Sequence, residues 1–401
     1  MQKVIIISTL WCEPSSSAAG VHMQQLLQMF LEQGYSLTYA STANKSDFAL
    51  ETTDVNLKQI QLNCSSFDAW IKEENPDIVL FDRFTAEEQF GWRVRENCPN
   101  ALTILNTEDL HSLRKSREEA IKTNSLWDIH FWKNQEITYR EISSILKCDL
   151  NLMVSETEIN FLITYFGVKE AQLMYLPICI DLNSLEPKKF EERAHFYTIG
   201  NFMHSPNLDS IQWVKSEIWP LIRKELPKAE FHIFGAYLTG KARALHAPKD
   251  GFFIKGKLGD LENVLPTYRV CLAPLRFGAG IKGKFLEAMK FGTPFSTSYI
   301  GTEDLQVAVK TYAKPEDIAI DAIKTYTDKD VWMQKQSLGF ECIKNRYARL
   351  SYAENCLEKI QNIKRQLETH RNIHFMGELL KQQSNNSSKY FSKWLELKNK
   401  A

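Results

Sequence analysis

The chain has 401 residues, 49 of them basic and 49 acidic, with 44% hydrophobic and 24% charged residues. That length exceeds one ordinary core and implies two domains of roughly 150 to 200 residues with a cleft between them. The balanced charge offers no electrostatic lure for nucleic acid. The eight cysteines form no CxxC pair and have no histidine at ligand spacing, so they read as reduced packing residues and no metal site is expected.

The N-terminal apolar run spans about five residues, short of the roughly 7 to 15 of a signal peptide. No stretch approaches the ~20 apolar residues of a membrane span, and a cytoplasmic location is expected. KVIIIST, residues 3–9, is the continuous β-branched run of a strand buried on both faces. The loop LWCEPSSSAAG and the helical stretch VHMQQLLQMFLEQG follow, with Gly34 as the C-cap glycine, and then the strand YSLTYAS. A strand, helix, strand unit demands a right-handed crossover and a parallel sheet. The alternation continues through LKQIQLN, a helix near SFDAWIKEE, the strand DIVLFD, a helix from Ala86 to Asn97 and the strand ALTILNT. Helical spacing over 113–147, the strand LNLMVS, the helix ETEINFLITYFG and the segment YLPICID complete the first half.

EPKKFEER, residues 186–193, is charged and carries a proline, the signature of a linker. A second alternating set follows: HFYTIG, a helix near LDSIQWVKSEIWPLIRKEL, the strands EFHIFGA and GFFIKG, the helix DLENVLPTY, the strand RVCLAPL, the helix KFLEAMKFG and the strand PFSTS. The fold class is α/β, with two doubly wound domains in tandem and ligand expected at the carboxyl ends of their strands. The expected divisions are 1–185, 186–350 and 351–401, the last being a helix over 351–370 and a polar tail. The lysine-rich end, KQQSNNSSKYFSKWLELKNKA, reads as a solvated tail or surface helix, with contact to an anionic membrane surface as the alternative.

The chemistry concentrates in GAGIKGKF, residues 278–285. Gly278, four residues, Gly283 and Lys284 reproduce the spacing of a P-loop, but Phe285 stands where that loop needs a hydroxyl for magnesium. Glycines 278, 280 and 283 let backbone N–H groups approach a phosphate, and the following helix start adds unpaired donors. Arg276, Lys282 and Lys284 supply cations. Glu287, one turn beyond Lys284, can accept two hydrogen bonds from a vicinal diol, which suits a diphosphate attached to a ribose. The plain alternative for Lys284 and Glu287 is a surface i, i+3 pair.

Residues 271–305, CLAPLRFGAGIKGKFLEAMKFGTPFSTSYIGTEDL, resemble the nucleotide-sugar region of retaining GT-B glycosyltransferases of glycosyltransferase family 4. Residues 196–236 resemble the start of the same domain, and VSETEINFL at 154–162 a segment late in the first. The resemblance implies two Rossmann-like domains, with a C-terminal helix crossing back to the first. It implies Glu287 on the donor ribose, Lys284 and Lys282 on the diphosphate, and the backbone of Phe277, Gly278, Ala279 and Gly280 on the donor sugar. The donor is then a substrate, with no cofactor and no metal, and the acceptor a glycan, lipid-linked or small molecule. The sequence departs from the pattern twice: Ala279 replaces a glutamate eight positions before Glu287, and GNFMHSPN lacks the Arg and Lys pair expected after the first strand of the second domain.

In the first domain, Gly20 in EPSSSAAGVH is the expected donor contact, with a capped turn at Ser15 to Ser17 as the alternative. NTEDLHSLRKSRE, residues 106–118, gathers Glu108, Asp109, His111, Arg114 and Arg117 at a strand end. Asp109 and His111 are the acceptor-side candidates, the alternative being an ion-pair network that caps the next helix. The function expected is retaining, metal-independent sugar transfer in cell-surface polysaccharide or glycoconjugate assembly; the alternative is a catalytically silent subunit of such an assembly.

Overall fold

The computed structural model describes residues 2–181, 187–348 and 350–400. The first sheet has seven strands: β1 (Lys3–Ser8), β2 (Ser36–Ser41), β3 (Asn56–Gln59), β4 (Ile78–Asp82), β5 (Leu102–Asn106), β6 (Leu150–Met153) and β7 (Leu173–Tyr175). All neighbours are parallel, in the order β3-β2-β1-β4-β5-β6-β7. The second sheet contains β8 (Ala194–Ile199), β9 (Phe231–Phe234), β10 (Phe252–Gly256), β11 (Tyr268–Leu272) and β12 (Phe295–Ser296). Its order, β10-β9-β8-β11-β12, is parallel as well. Strand order reverses at β1/β4 in one sheet and at β8/β11 in the other, so the loops after these strands flank the crevices where such sheets hold ligands.

The apolar runs explain the layering. Side chains alternate across a strand, so Val4 and Ile6 enter one core while Ile5 and Ile7 enter another on the opposite face. The same division separates Tyr197 and Cys271 from Phe196, Val270 and Leu272 in the second domain. All eight cysteines are free and six are buried, in keeping with a packing role.

The elements depart from expectation where packing, rather than local pattern, decides. β7 has three residues and β12 only two where PFSTS predicts a longer strand. DLENVLPTY forms two single turns, Leu261–Val264 and Leu265–Thr267, with Pro266 opening the second. The long helix after β8 carries a π turn, Val214–Ile218, just ahead of Pro220, a common way to accommodate a missing N–H. The first expected domain boundary, 185/186, lies outside the described residues.

After residue 349 the chain returns to the first domain. Cys356, Leu357, Ile360 and Ile363 of helix Leu350–Arg365 complete the core around Val4 and Ile6. The single helix expected over 351–370 breaks at Gln366 and resumes as Leu367–Ile373. The expected polar tail is the helix Phe375–Lys400. Buried Asp149 anchors the return: Arg371 donates from Nε at 2.9 Å and Nη2 at 2.8 Å, and Thr103 from its amide at 2.9 Å and hydroxyl at 2.8 Å. Burial alone would raise this carboxyl, but Arg371 and Lys381 outweigh it and hold it below the usual range.

Removing one partner of a buried pair leaves the other uncompensated, so Arg371→Ala is expected to destabilise the first domain by about 3–5 kcal/mol in chemical denaturation. The folded pKa of Asp149 is depressed, so its contribution is present above the ordinary carboxylate value of about 3.9 and is lost as pH falls through the lower folded value. The acid sensitivity of unfolding in that window should shrink in Asp149→Asn.

Candidate functional site

The glycine loop joins β11 to helix Gly283–Lys290 and lies directly on the first domain. Gly280 has φ +61°, and a Cβ there would stand 2.8 Å from Asp109 Cβ. A Cβ on Gly283 would stand 2.5 Å from Ala18 Cβ. The Gly280 amide donates to Glu158 Oε1 at 2.6 Å, and the Gly278 carbonyl accepts from Arg117 Nη1 at 2.7 Å. Arg117 also donates to both oxygens of Glu303, at 2.7 and 2.8 Å, which ties the two domains together. Phe277 is buried, and Ala279 packs against the core of the first domain. Phe285 is fully buried against Phe295 at 4.7 Å between ring centres, so it seats the helix on its sheet.

Lys284 and Glu287 occupy the first turns of that helix, whose start has no side-chain cap. Lys284 Nζ donates to Asn207 Oδ1 at 2.7 Å, which brings in the first turn of the helix Ser205–Trp213 that follows β8. Burial lowers the Lys284 amine to about 8, partly offset by Cys271 and Glu287. Burial raises the Glu287 carboxyl to about 7 against the pull of Lys290 and Lys284. Among the described residues no hydrogen bond reaches the Glu287 carboxylate. These are half-buried groups of opposite sign at the carboxyl edge of the sheet, not the fully solvated surface pair that spacing alone allows.

The other two cations are engaged elsewhere. Arg276 forms a two-pronged pair with Asp209, with Nε at 2.9 Å, and its guanidinium lies 6.0 Å from the Trp213 ring centre. Lys282 is buried with Nζ 3.5 Å from Glu303, in a cluster that includes Arg117, Asp304 and Glu158. Burial depresses this amine, and Glu303 works against the shift.

Across the cleft, Ser17 caps helix Ala18–Glu32 by accepting from the Gly20 amide at 3.1 Å. A Cβ on Gly20 would overlap the Glu13 carbonyl oxygen at 2.0 Å, so glycine here lets the loop fold over the helix start. Glu13 in turn accepts from the Tyr237 hydroxyl of the second domain at 2.8 and 2.9 Å.

Asp109 and His111 lie together, with Nε2 3.3 Å from Oδ1, and Arg114 Nε donates to Asp109 Oδ2 at 2.5 Å. Burial disfavours the Asp109 anion, but Arg114 outweighs it, so the carboxylate stays ionised. Burial pushes His111 down to about 3 despite Asp109, leaving a neutral imidazole. Glu141 accepts from the amides of His111 and Ser112 at 2.9 and 2.8 Å, capping the helix start, and burial raises it to about 7. The helix-capping network and the cleft cluster therefore coexist.

Other groups at this edge carry no motif of their own. His22 Nδ1 lies 3.2 Å from Glu108 Oε1, while its Nε2 is buried without a hydrogen bond among the described residues. Arg83 and Glu108 have φ +69° and +61°, a strained conformation for side-chain-bearing residues that gathers at functional sites. Asp82 accepts from Ser8 Oγ at 2.9 Å and pairs with Arg83. His204, from the loop lacking the Arg and Lys pair, is lowered to about 4 by burial and by neighbouring Arg114. In the sequence Glu108 stands in NTEDLHSLRKSRE, while GVH at 20–22 and the histidine of GNFMHSPN hint at His22 and His204 and nothing marks Asp82 or Arg83.

Residues 193–328 match the family model described as glycosyl transferases group 1. A comparison with curated proteins returns no match. Among solved structures, sucrose-phosphate synthase from Thermosynechococcus elongatus superposes with a TM-score of 0.67 at 15% identity, over 92% of this chain and 100% of that one. A TarM mutant of S. aureus, in complex with fondaparinux, alpha-GlcNAc-glycerol and UDP, gives 0.66 at 10% identity over 91% and 100%. Anabaena HepE, in complex with UDP and glucose, gives 0.66 at 12% over 89% and 99%. Residues 193–328 thus resemble the glycosyl transferases group 1, and the chain as a whole has the GT-B fold that these solved structures share.

Proposed function

We propose that the protein transfers a sugar from a nucleoside diphosphate donor to a glycan, lipid-linked or small-molecule acceptor, with retention at the anomeric carbon and without a metal ion. The reading rests on the Lys284–Glu287 turn: a half-buried amine on Asn207 and a carboxyl that no hydrogen bond reaches among the described residues, behind a glycine loop at a sheet switch point. A ribose diol supplies the two donors that Glu287 lacks. Lys284 and the helix N–H groups stabilise the charge that develops on the departing diphosphate, more in the transition state than before it. Phe285 supports metal independence, since packing occupies the position where a P-loop holds magnesium with a hydroxyl.

Asp109, held ionised by Arg114, faces this loop, and with neutral His111 beside it orients the acceptor. No protein nucleophile is assigned; the leaving phosphate takes the acceptor proton. Glu158, on the Gly280 amide, occupies a donor that the substrate needs, so it withdraws as the donor enters. The likeness to family 4 supports retention and a place in polysaccharide or glycoconjugate assembly. A silent donor-binding subunit is the second reading, favoured by Ala279 and by His204 and Asn207 where cations are expected.

Losing a hydrogen bond to a charged group costs about 1.5–3 kcal/mol, so Glu287→Ala should weaken nucleotide-sugar binding by about ten- to a hundredfold and shrink the thermal shift the donor produces at a given concentration. Donor hydrolysis should continue in chelator; binding without turnover against any acceptor selects the silent subunit. Binding needs Glu287 ionised, above about 7, and Lys284 protonated, below about 8. The kcat/KM for donor should therefore peak between these values and fall on both sides. Arg117→Ala removes the tie to Glu303 and Gly278 and should enlarge the radius of gyration of the donor-free protein in small-angle scattering.

A further inference from the structure

The helix Phe375–Lys400 is turned inside out relative to an ordinary surface helix. Its inward face is polar: Ser392 accepts from buried Arg93 Nη2 at 2.8 Å, Lys389 pairs with Glu96 at 2.7 Å, and Glu396 accepts from Ser65 Oγ at 2.7 Å. Gly377 sits so close to helix Glu136–Lys147 that a Cβ would lie 2.3 Å from the Leu146 carbonyl oxygen. The outward face carries Tyr390, Phe391, Trp394 and Leu397, exposed by 67%, 61%, 53% and 68%. At about 100° per residue, Tyr390, Trp394 and Leu397 fall within about 60° of one another, with Phe391 beside them. Met376, 56% exposed, lies about five turns earlier on the same side.

Charge identifies the occupant. Lys393 and Lys398 are exposed and flank the aromatic face, Lys398 lying 5.2 Å from the Trp394 ring centre. The acidic Glu396 is turned inward onto Ser65. Tyrosine and tryptophan bracketed by lysine suit the headgroup layer of an anionic bilayer, whereas lysine is depleted from protein–protein interfaces. Among the described residues no helix is long and apolar enough to cross a membrane, so this helix lies on the surface rather than spanning it.

We infer that the outward face of helix Phe375–Lys400 docks on an anionic membrane surface, with Trp394 and Leu397 entering the interface and Lys393 and Lys398 meeting lipid phosphates. The helix packs on the first domain, so docking sets the proposed acceptor-binding half beside the bilayer. Attachment is independent of sugar transfer, because it is read as partition and not as turnover.

Co-sedimentation of the full chain with phosphatidylcholine vesicles, with and without phosphatidylglycerol, tests it. Partition should require phosphatidylglycerol, weaken as salt rises toward about 1 M, and fall about tenfold or more in Trp394→Ser/Leu397→Ser. Lys393→Glu/Lys398→Glu should lose the anionic preference, with the melting temperature of both variants unchanged. Equal partition of native and variant chains, or none onto anionic vesicles, overturns the inference. So does a concentration-dependent dimer in light scattering that the first variant abolishes, which gives the face to a second copy.

Discussion

The loop at 278–283 can lie against the first domain only because it has almost no side chains. Gly280 rests on Asp109 and Gly283 on Ala18, at separations that a single methyl group closes. That contact fixes how near the carboxyl edges of the two sheets approach, and Arg117 holds it by reaching the Gly278 carbonyl and Glu303 together. The start of helix Gly283–Lys290 is thereby set in the crevice between the β1/β4 and β8/β11 switch points, so one glycine-wide approach governs the cleft.

Within the cleft, charges divide into those that are satisfied and those that are not. Asp109 with Arg114, Arg276 with Asp209, and Lys282 with Glu303 are internally paired and serve to position their loops. Lys284 and Glu287 are half-buried and, among the described residues, have no close ion-pair partner; Lys284 is held only by Asn207, and burial moves both toward neutrality. Burying groups in that state is costly unless a ligand supplies their partners. Charged groups in numbers mark a neighbourhood; uncompensated ones mark a binding position.

The architecture is legible in the sequence because a strand buried on both faces writes itself as a continuous β-branched run, as KVIIIST does. The glycine loop is legible because its spacing lies within one stretch of chain. Partnerships across the cleft are not, since Arg276 gives no sign that Asp209 will take it, nor Lys282 that Glu303 will. Nor do His22 and Asp82 carry a local motif, and VSETEINFL does not show that Glu158 will meet Gly280; these groups gain meaning only when parallel pairing brings β1, β4 and β5 together and the second domain closes over them. The C-terminal segment reads as a polar tail because its pattern is inverted, with polar residues bonded to the first domain and aromatic ones facing out.

The proposed donor site turns on Glu287 accepting from a ribose diol. Calorimetric titration of a nucleoside diphosphate against its 2′,3′-dideoxy analogue isolates that contact, since the two ligands differ only in the hydroxyls. With the native chain the analogue should bind about tenfold or more weakly, and with Glu287→Ala the two ligands should differ little. Equal affinity of the native chain for both would contradict it.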